Sequence, residues 1–242
     1  MVERHTPEVA PPAAVILAEP AVPAAPAVRA LSEQSTAPAG VTVGTIDDAR
    51  GLEHDWVWLL DAGVVPDADA LAALLAAREQ LPAAVLLAGR VVTTEGELDP
   101  VSLPVIAVHD PGRVLAALER RTVPLIAARR GSLLLRTSDL AQHGLSSPGG
   151  LLRWSARLLR SQLGALVPTS RAVRAVGARH HRAARRLAEE VRAVAAVDRR
   201  DRLWFAAHLA ERALGRHPKP VANATQYGGH ARRGARAGDV GQ

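Results

Sequence analysis

The chain of 242 residues has length enough for one large domain with an appendage, and a 48% hydrophobic content allows a real core built mainly from Ala, Val and Leu. Cysteine is absent, which excludes a disulfide framework and any thiolate metal site. The net charge of +6 is unevenly spread, with 15 acids and 5 bases in residues 1–100 against 9 acids and 25 bases in residues 101–242. An acidic front and a basic back describe a dipolar molecule with an anion-facing surface. Lys219 is the single lysine beside 29 arginines, a skew that points to GC-rich coding, so the sum of charge says little about partners.

In chain order, the Pro-rich residues 1–12 are expected to be disordered. AAVILAE (13–19) is a short buried-strand pattern, PAVRALSEQS has helical spacing, and VTVG (41–44) is β-branched and extended. DWVWLLDA (55–62) is a third strand, followed by a helix with Pro66 in its first turn and Asp67 and Asp69 near its positive end. AAVLLAGRVV (83–92) is a strand, TTEGEL a turn with Gly96 at its apex, and LPVIAV (103–108) another strand. RVLAALERR (113–121) is helical. Residues 123–144 read as strand, turn at Gly131, strand, and a helix starting near Thr137. LLRWSARLLRSQLG (151–164) is an amphipathic helix and ALVPTS (165–170) a short strand. Residues 178–217 form an Arg-rich helical hairpin, and 218–242 a Gly- and Arg-rich disordered tail. Strands alternating with helices predict an α/β domain over 13–177 with a mostly parallel sheet.

Asp61 ends a strand, the edge at which ligands bind in such sheets. The segment DWVWLLDAGVVPDADALAALL resembles the central segment of family 2 glycosyltransferases, in which a strand carries an acidic DDD or DxD motif before a Pro and an amphipathic helix. VLLAGRVVTTEGEL, LIAARRGSLLLRTSDLAQHGL and LLRWSARLLRSQLGALVPTS resemble the family's later segments, and VILAE with ALSEQSTAPAGVTV its opening. The resemblance spans roughly 13–180 and is most specific over 55–75. It implies a reduced GT-A fold, in which a nucleotide-diphospho-sugar donor is held with Mg²⁺ or Mn²⁺. It also implies a carboxylate base on the acceptor side that activates a hydroxyl.

Three departures from that pattern stand out. Of the acidic motif only Asp61 remains, because Ala62 and Gly63 offer no side-chain oxygen to a hard cation. GGLLRWSARLLRSQLG (149–164), where the base belongs, contains no Asp, Glu or His. General-base catalysis is worth roughly 10²–10⁴-fold, and the nearest substitutes are Asp139 and, better, His143, which also reads as a solvated helix-end residue. Only 17 residues separate Val43 from Leu60, too few for the further strand and helix that shape a nucleotide pocket. Asp61 is therefore the candidate metal ligand and, with Asp48, the candidate donor contact. Asp47 and Asp48 also read as surface-turn acids, and Asp61 also as a structural relic. No catalytic residue is assigned.

Trp56 and Trp58 share one strand face, as core or as a sugar-stacking platform. Residues 171–217 carry 12 Arg against 5 acids. That surface reads as a solvated face, as a contact for an anionic membrane or a protein partner, or, least favoured, as a nucleic-acid site prompted by GGHARRGARAG (228–238). His180 and His181 are adjacent and point about 100° apart on a helix, a poor metal pair. The amino terminus has acids where a signal peptide has bases, and no stretch reaches the ~20 apolar residues that span a bilayer. The expected location is cytoplasmic, with a possible peripheral contact at the inner membrane face. By class the expected activity is sugar transfer, weak or lost in this copy, with a non-catalytic binding module as the alternative.

Overall fold

The computed structural model describes residues 10–19, 22–99, 102, 104–106, 122–143, 150–175, 202 and 206. The expected helix 113–121 lies outside the described residues, as do the tail 218–242 and, except for 202 and 206, the hairpin 178–217.

Among the described residues nine strands form the sheet: β1 (Ala13–Leu17), β2 (Val41–Gly44), β3 (Trp56–Asp61), β4 (Val64–Pro66), β5 (Ala84–Thr93), β6 (Val105–Ile106), β7 (Val123–Ala127), β8 (Ser132–Arg136) and β9 (Leu163–Arg174). The helices are α1 (Ala25–Ser32), α2 (Ile46–Arg50), α3 (Ala70–Gln80), α4 (Thr137–His143) and α5 (Gly150–Leu158). The strand order is β2-β1-β3-β8-β5-β9-β7-β6, with β4 added along β9. Strands β1, β2, β3, β5, β6 and β9 run one way, which matches the expected dominant direction. The sheet is nevertheless mixed in its pairing: β8 enters antiparallel between β3 and β5. β7 is antiparallel to β9 and β8 to β3 and β5, so these two consecutive strands both run against the majority, separated in the sheet by β5 and β9.

Strand alternation sorts the core into two layers. Val15, Leu17, Val57 and Leu59 face Ile46 and Ala49 of α2, Leu140 of α4, and Leu151, Trp154 and Leu158 of α5. Ala14, Ile16, Trp58 and Leu60 face Ala27 and Leu31 of α1 and Leu71 and Leu74 of α3. The central strands, covered on both faces, therefore read as unbroken apolar runs. Within one layer, the Ser155 hydroxyl of α5 donates to the Ala128 carbonyl and accepts from the Ala128 amide, at 3.1 and 2.9 Å, which pins the helix to the end of β7.

Three boundaries differ from expectation. Pro66 does not open a helix; it closes β4, and α3 starts at Ala70. The helix expected over 151–164 stops at Leu158, and the short strand expected over 165–170 is the 12-residue β9. Both shifts have one cause, since β9 gains partners in β5, β7 and β4. Tertiary pairing then outweighs the local helical pattern. Arg171 reinforces the extension, bonding Asp67 at 3.1 Å just before α3. Residues 45–55 hold only α2 and loop, a connection between β2 and β3 as short as the spacing predicts. β2 ends the sheet on that side with Val41 and Val43 exposed.

Candidate functional site

The carboxyl ends of β1 and β3 lie side by side, with Leu17 paired to Asp61. The chain is clamped where it leaves β3: the Asp61 amide donates to the Gly131 carbonyl at 2.8 Å and the Ala62 amide to the Leu17 carbonyl at 3.2 Å. Ala62 is buried, and Gly63 has φ 77°, the left-handed region that reverses the chain into β4. The two positions that an acidic motif would fill are thus an enclosed methyl and a backbone-required glycine. A charge at either would meet burial or strain.

β4 lies along the end of β9, with Val64 opposite Arg174, and this brings Arg174 over Asp61 from 113 residues away. The Arg174 guanidinium donates through Nε to Asp99 Oδ2 at 2.6 Å, and through Nη2 to Ser102 Oγ at 2.5 Å and to Asp61 Oδ2 at 3.3 Å. Ser102 Oγ in turn donates to Asp99 Oδ2 at 2.7 Å. Arg130, in the turn before β8, places Nη1 3.8 Å from Asp61 Oδ1. Side-chain exposures of 5% for Arg174, 6% for Asp61 and 3% for Asp99 make this a closed ionic knot.

Burial pushes the Asp61 carboxyl above the usual carboxylate range, with Glu19 adding to the effect, while Arg174 and Arg130 pull it back only in part. Burial also works against the Arg174 charge, but Asp99 and Asp61 outweigh it and hold the guanidinium above its ordinary value. The two directions agree because one cation serves two carboxylates. Asp99 takes the shorter bond, and Asp61 is the weaker partner.

Asp48 stands at the same edge of the sheet, beyond the end of β2 and on the far side of β1 from Asp61. Its Oδ2 accepts from the Thr45 amide and hydroxyl at 2.6 and 2.8 Å, and the Asp48 amide donates back to Thr45 Oγ1 at 3.4 Å. This is a capping box for α2, and the Thr45 amide bond, with the hydroxyl behind it, holds the Asp48 carboxyl below its usual range. The structure therefore brings Asp48 and Asp61 to one edge, roughly two strand spacings or about 10 Å apart, without contact between them.

Among the base candidates, Asp139 is buried in the first turn of α4, whose Thr137 amide bonds the Asp55 carbonyl at the opposite end of β3. That is a strand length, roughly 20 Å, from Asp61. His143 is the last residue of α4. The face of α5 directed inward is apolar. A cleft of about 350 Å³ between Arg50, His54, Asp55 and Thr137 lies at the same far edge, away from the carboxyl ends of the strands. Trp58 is fully buried between α1 and α3, and its Nε1 donates to Ser132 Oγ at 3.0 Å. Trp56 is half-buried, with the guanidinium groups of Arg78 and Arg136 5.5 and 5.6 Å from its ring centroid.

The described residues at Asp61 do not fit a divalent cation. Its Oδ1 faces the Arg130 guanidinium at 3.8 Å, Oδ2 is bonded to Arg174, and the Asp99 carboxylate is bonded to the same Arg174 guanidinium. Among the described residues no cluster of three His, Cys, Asp or Glu could hold a metal. No helix of the described residues is long and apolar enough to cross a membrane. Sequence reasoning missed Arg174, Asp99, Ser102 and Arg130. No spacing rule links them, and only the β4–β9 pairing brings Arg174 to Asp61.

No protein-family model matches the sequence, and no curated protein does. Among solved structures, S. aureus TarS superposes with a TM-score of 0.54 at 10% identity, covering 83% of this chain and 43% of TarS. TarS 1–349 in complex with UDP-GlcNAc gives 0.54 at 9%, covering 84% of this chain and 73% of that one. GalNAc-T7, crystallised with UDP, GalNAc and Mn²⁺, gives 0.53 at 11%, covering 77% of this chain and 48% of that one. The chain thus spans less than half the length of TarS. The fold is a mixed α/β, GT-A-like fold of the kind found in glycosyltransferases, as the sequence resemblance implied.

Proposed function

We propose that this chain keeps the scaffold of a family 2 glycosyltransferase without transferring sugar, and that it acts by binding. The observation that carries this proposal is the guanidinium of Arg174 between Asp61 and Asp99, at 3.3 and 2.6 Å. Metal-assisted departure of a nucleoside diphosphate needs carboxylate oxygens free to hold a hard cation, and here Oδ2 of Asp61 and of Asp99 is bonded to Arg174, while Asp61 Oδ1 faces the Arg130 guanidinium at 3.8 Å. The absence of any carboxylate or imidazole over 149–164 removes a base worth roughly 10²–10⁴-fold.

Incubation with UDP-GlcNAc or UDP-GalNAc is expected to release no UDP above a protein-free control, with or without Mn²⁺. Mn²⁺-dependent release that disappears in Asp61→Ala would overturn the proposal and reinstate Asp61 as metal ligand and donor contact, with Asp48 as the second contact to test.

The binding surface we infer is the Arg-rich residues 178–217, and its partner an anionic membrane face. The support is compositional, 10 Arg against 5 acids over 178–217, each Arg near such a surface contributing about 1 kcal/mol. The full chain is expected to cosediment with phosphatidylserine vesicles and not with phosphatidylcholine vesicles, and Arg182, Arg185 and Arg186→Ala together should abolish the difference. Equal sedimentation of wild type and triple variant would reject the membrane role.

A further inference from the structure

We infer that Arg174 is a built-in counter-cation that takes the place of the divalent metal of this fold, so that the carboxyl end of the sheet is metal-free by construction. This rests on the GT-A-like reading of the site and adds to it how that site is assembled. The donors of Arg174 that face Asp99, Ser102 and Asp61 are those a planar guanidinium presents along its Nε and Nη2 edge, the edge suited to carboxylates. Arg174 and Arg130 together bring two positive charges to two carboxylates, the charge a divalent ion would supply.

Three features make the replacement permanent. The Cα of Arg174 is fixed by pairing to Thr93 on one side and to Val64 on the other, and its guanidinium is held by bonds to Asp99, Ser102 and Asp61. The side chains of Arg174, Asp61 and Asp99 are almost fully enclosed, which leaves no room for the waters that Mg²⁺ retains. Ser102 closes the cluster, accepting from Arg174 and donating to Asp99. A small hydrated ion would have to displace a buried guanidinium bonded to two carboxylates and a hydroxyl.

The test is a Mn²⁺ titration of the full chain, followed by the free-ion electron paramagnetic resonance signal. Wild-type protein is expected to leave the free signal undiminished. Arg174→Ala exposes Asp61 and Asp99 to each other and is expected to gain Mn²⁺ affinity by on the order of tenfold or more, a gain that Asp61→Asn in the same background removes. If Arg174→Ala does not fold in buffer, Mn²⁺ or Ca²⁺ is expected to restore folding, read by circular dichroism. Wild-type binding of Mn²⁺ lost in Asp61→Asn would overturn the inference, as would an Arg174→Ala protein that neither binds nor is rescued by either ion. UDP release without metal would overturn the non-transferring proposal and leave this inference standing. Mn²⁺ held at Asp61 without turnover would do the reverse.

Discussion

Arg174→Ala is expected to destabilise the fold by about 3–5 kcal/mol at pH 7, the cost of breaking a buried ion pair from one side. The substitution takes from Asp61 and Asp99, whose side chains are 6% and 3% exposed, the cation that bonds both. Urea denaturation at pH 7 and at pH 5 separates charge from packing. The deficit should shrink at the lower pH, because a stranded buried carboxyl can take up a proton and shed its charge. An equal deficit at both values would assign the loss to the packed stem of the arginine instead.

Asp61 itself has the opposite sign. Its folded-state pKa is raised, so its contribution to stability is full below the unfolded value near 3.9 and is lost as pH rises through the folded value. Asp61→Asn should therefore leave the protein at least as stable as wild type at pH 7, since an amide oxygen can still accept from Arg174 Nη2. The two variants should fall on opposite sides of wild type, an outcome that a simple count of ion pairs would not anticipate.

Trp58→Ala is expected to cost about 3–5 kcal/mol through the cavity left between α1, α3 and the sheet. Trp58→Phe keeps most of the packing but leaves the Ser132 hydroxyl without its indole donor, so a loss of about 1–3 kcal/mol should remain. Chemical denaturation of both variants checks the ordering. Trp56→Ala should cost much less, since that ring is half-buried and its stacking with Arg78 and Arg136 is worth only about 0.5–1 kcal/mol per contact. Burial decides between the two roles open to Trp58, because a ring with no exposed face cannot stack on a sugar.

Much of the secondary structure is local and was legible in the residues themselves. AAVIL, VTVG, WVWLLD and SLLLR are apolar or β-branched runs of strand length, and each is a strand. Gly96 sits at a positive φ of 84° in the expected turn, and α4 starts at Thr137 as its pattern predicts. The placement of Asp61 at a strand's carboxyl end, and the GT-A-like fold that this placement pointed to, were legible for the same reason. Alternation and turn chemistry act over a few residues, and a strand–acid–turn pattern carries its own geometry.

What the acid does there was not legible. Pro66 ends a strand instead of opening a helix because β9, about a hundred residues later, offers an edge to pair with. β8 separates β3 from β5, an insertion that no alternation pattern encodes. Asp48, open as a donor contact or a surface-turn acid, caps α2, since Thr45 three residues before it supplies both an amide and a hydroxyl. Asp61 met its counter-ion only when β4 folded back along β9 and carried Arg174 across 113 residues. The sequence by itself determined most of the strands, several of the helices and the edge at which Asp61 lies, because short-range sterics and burial periodicity decide those. That a guanidinium from the end of β9 lies against its carboxylate was decided by the tertiary structure alone, because charge pairing in a buried site depends on distance in space and not on separation along the chain.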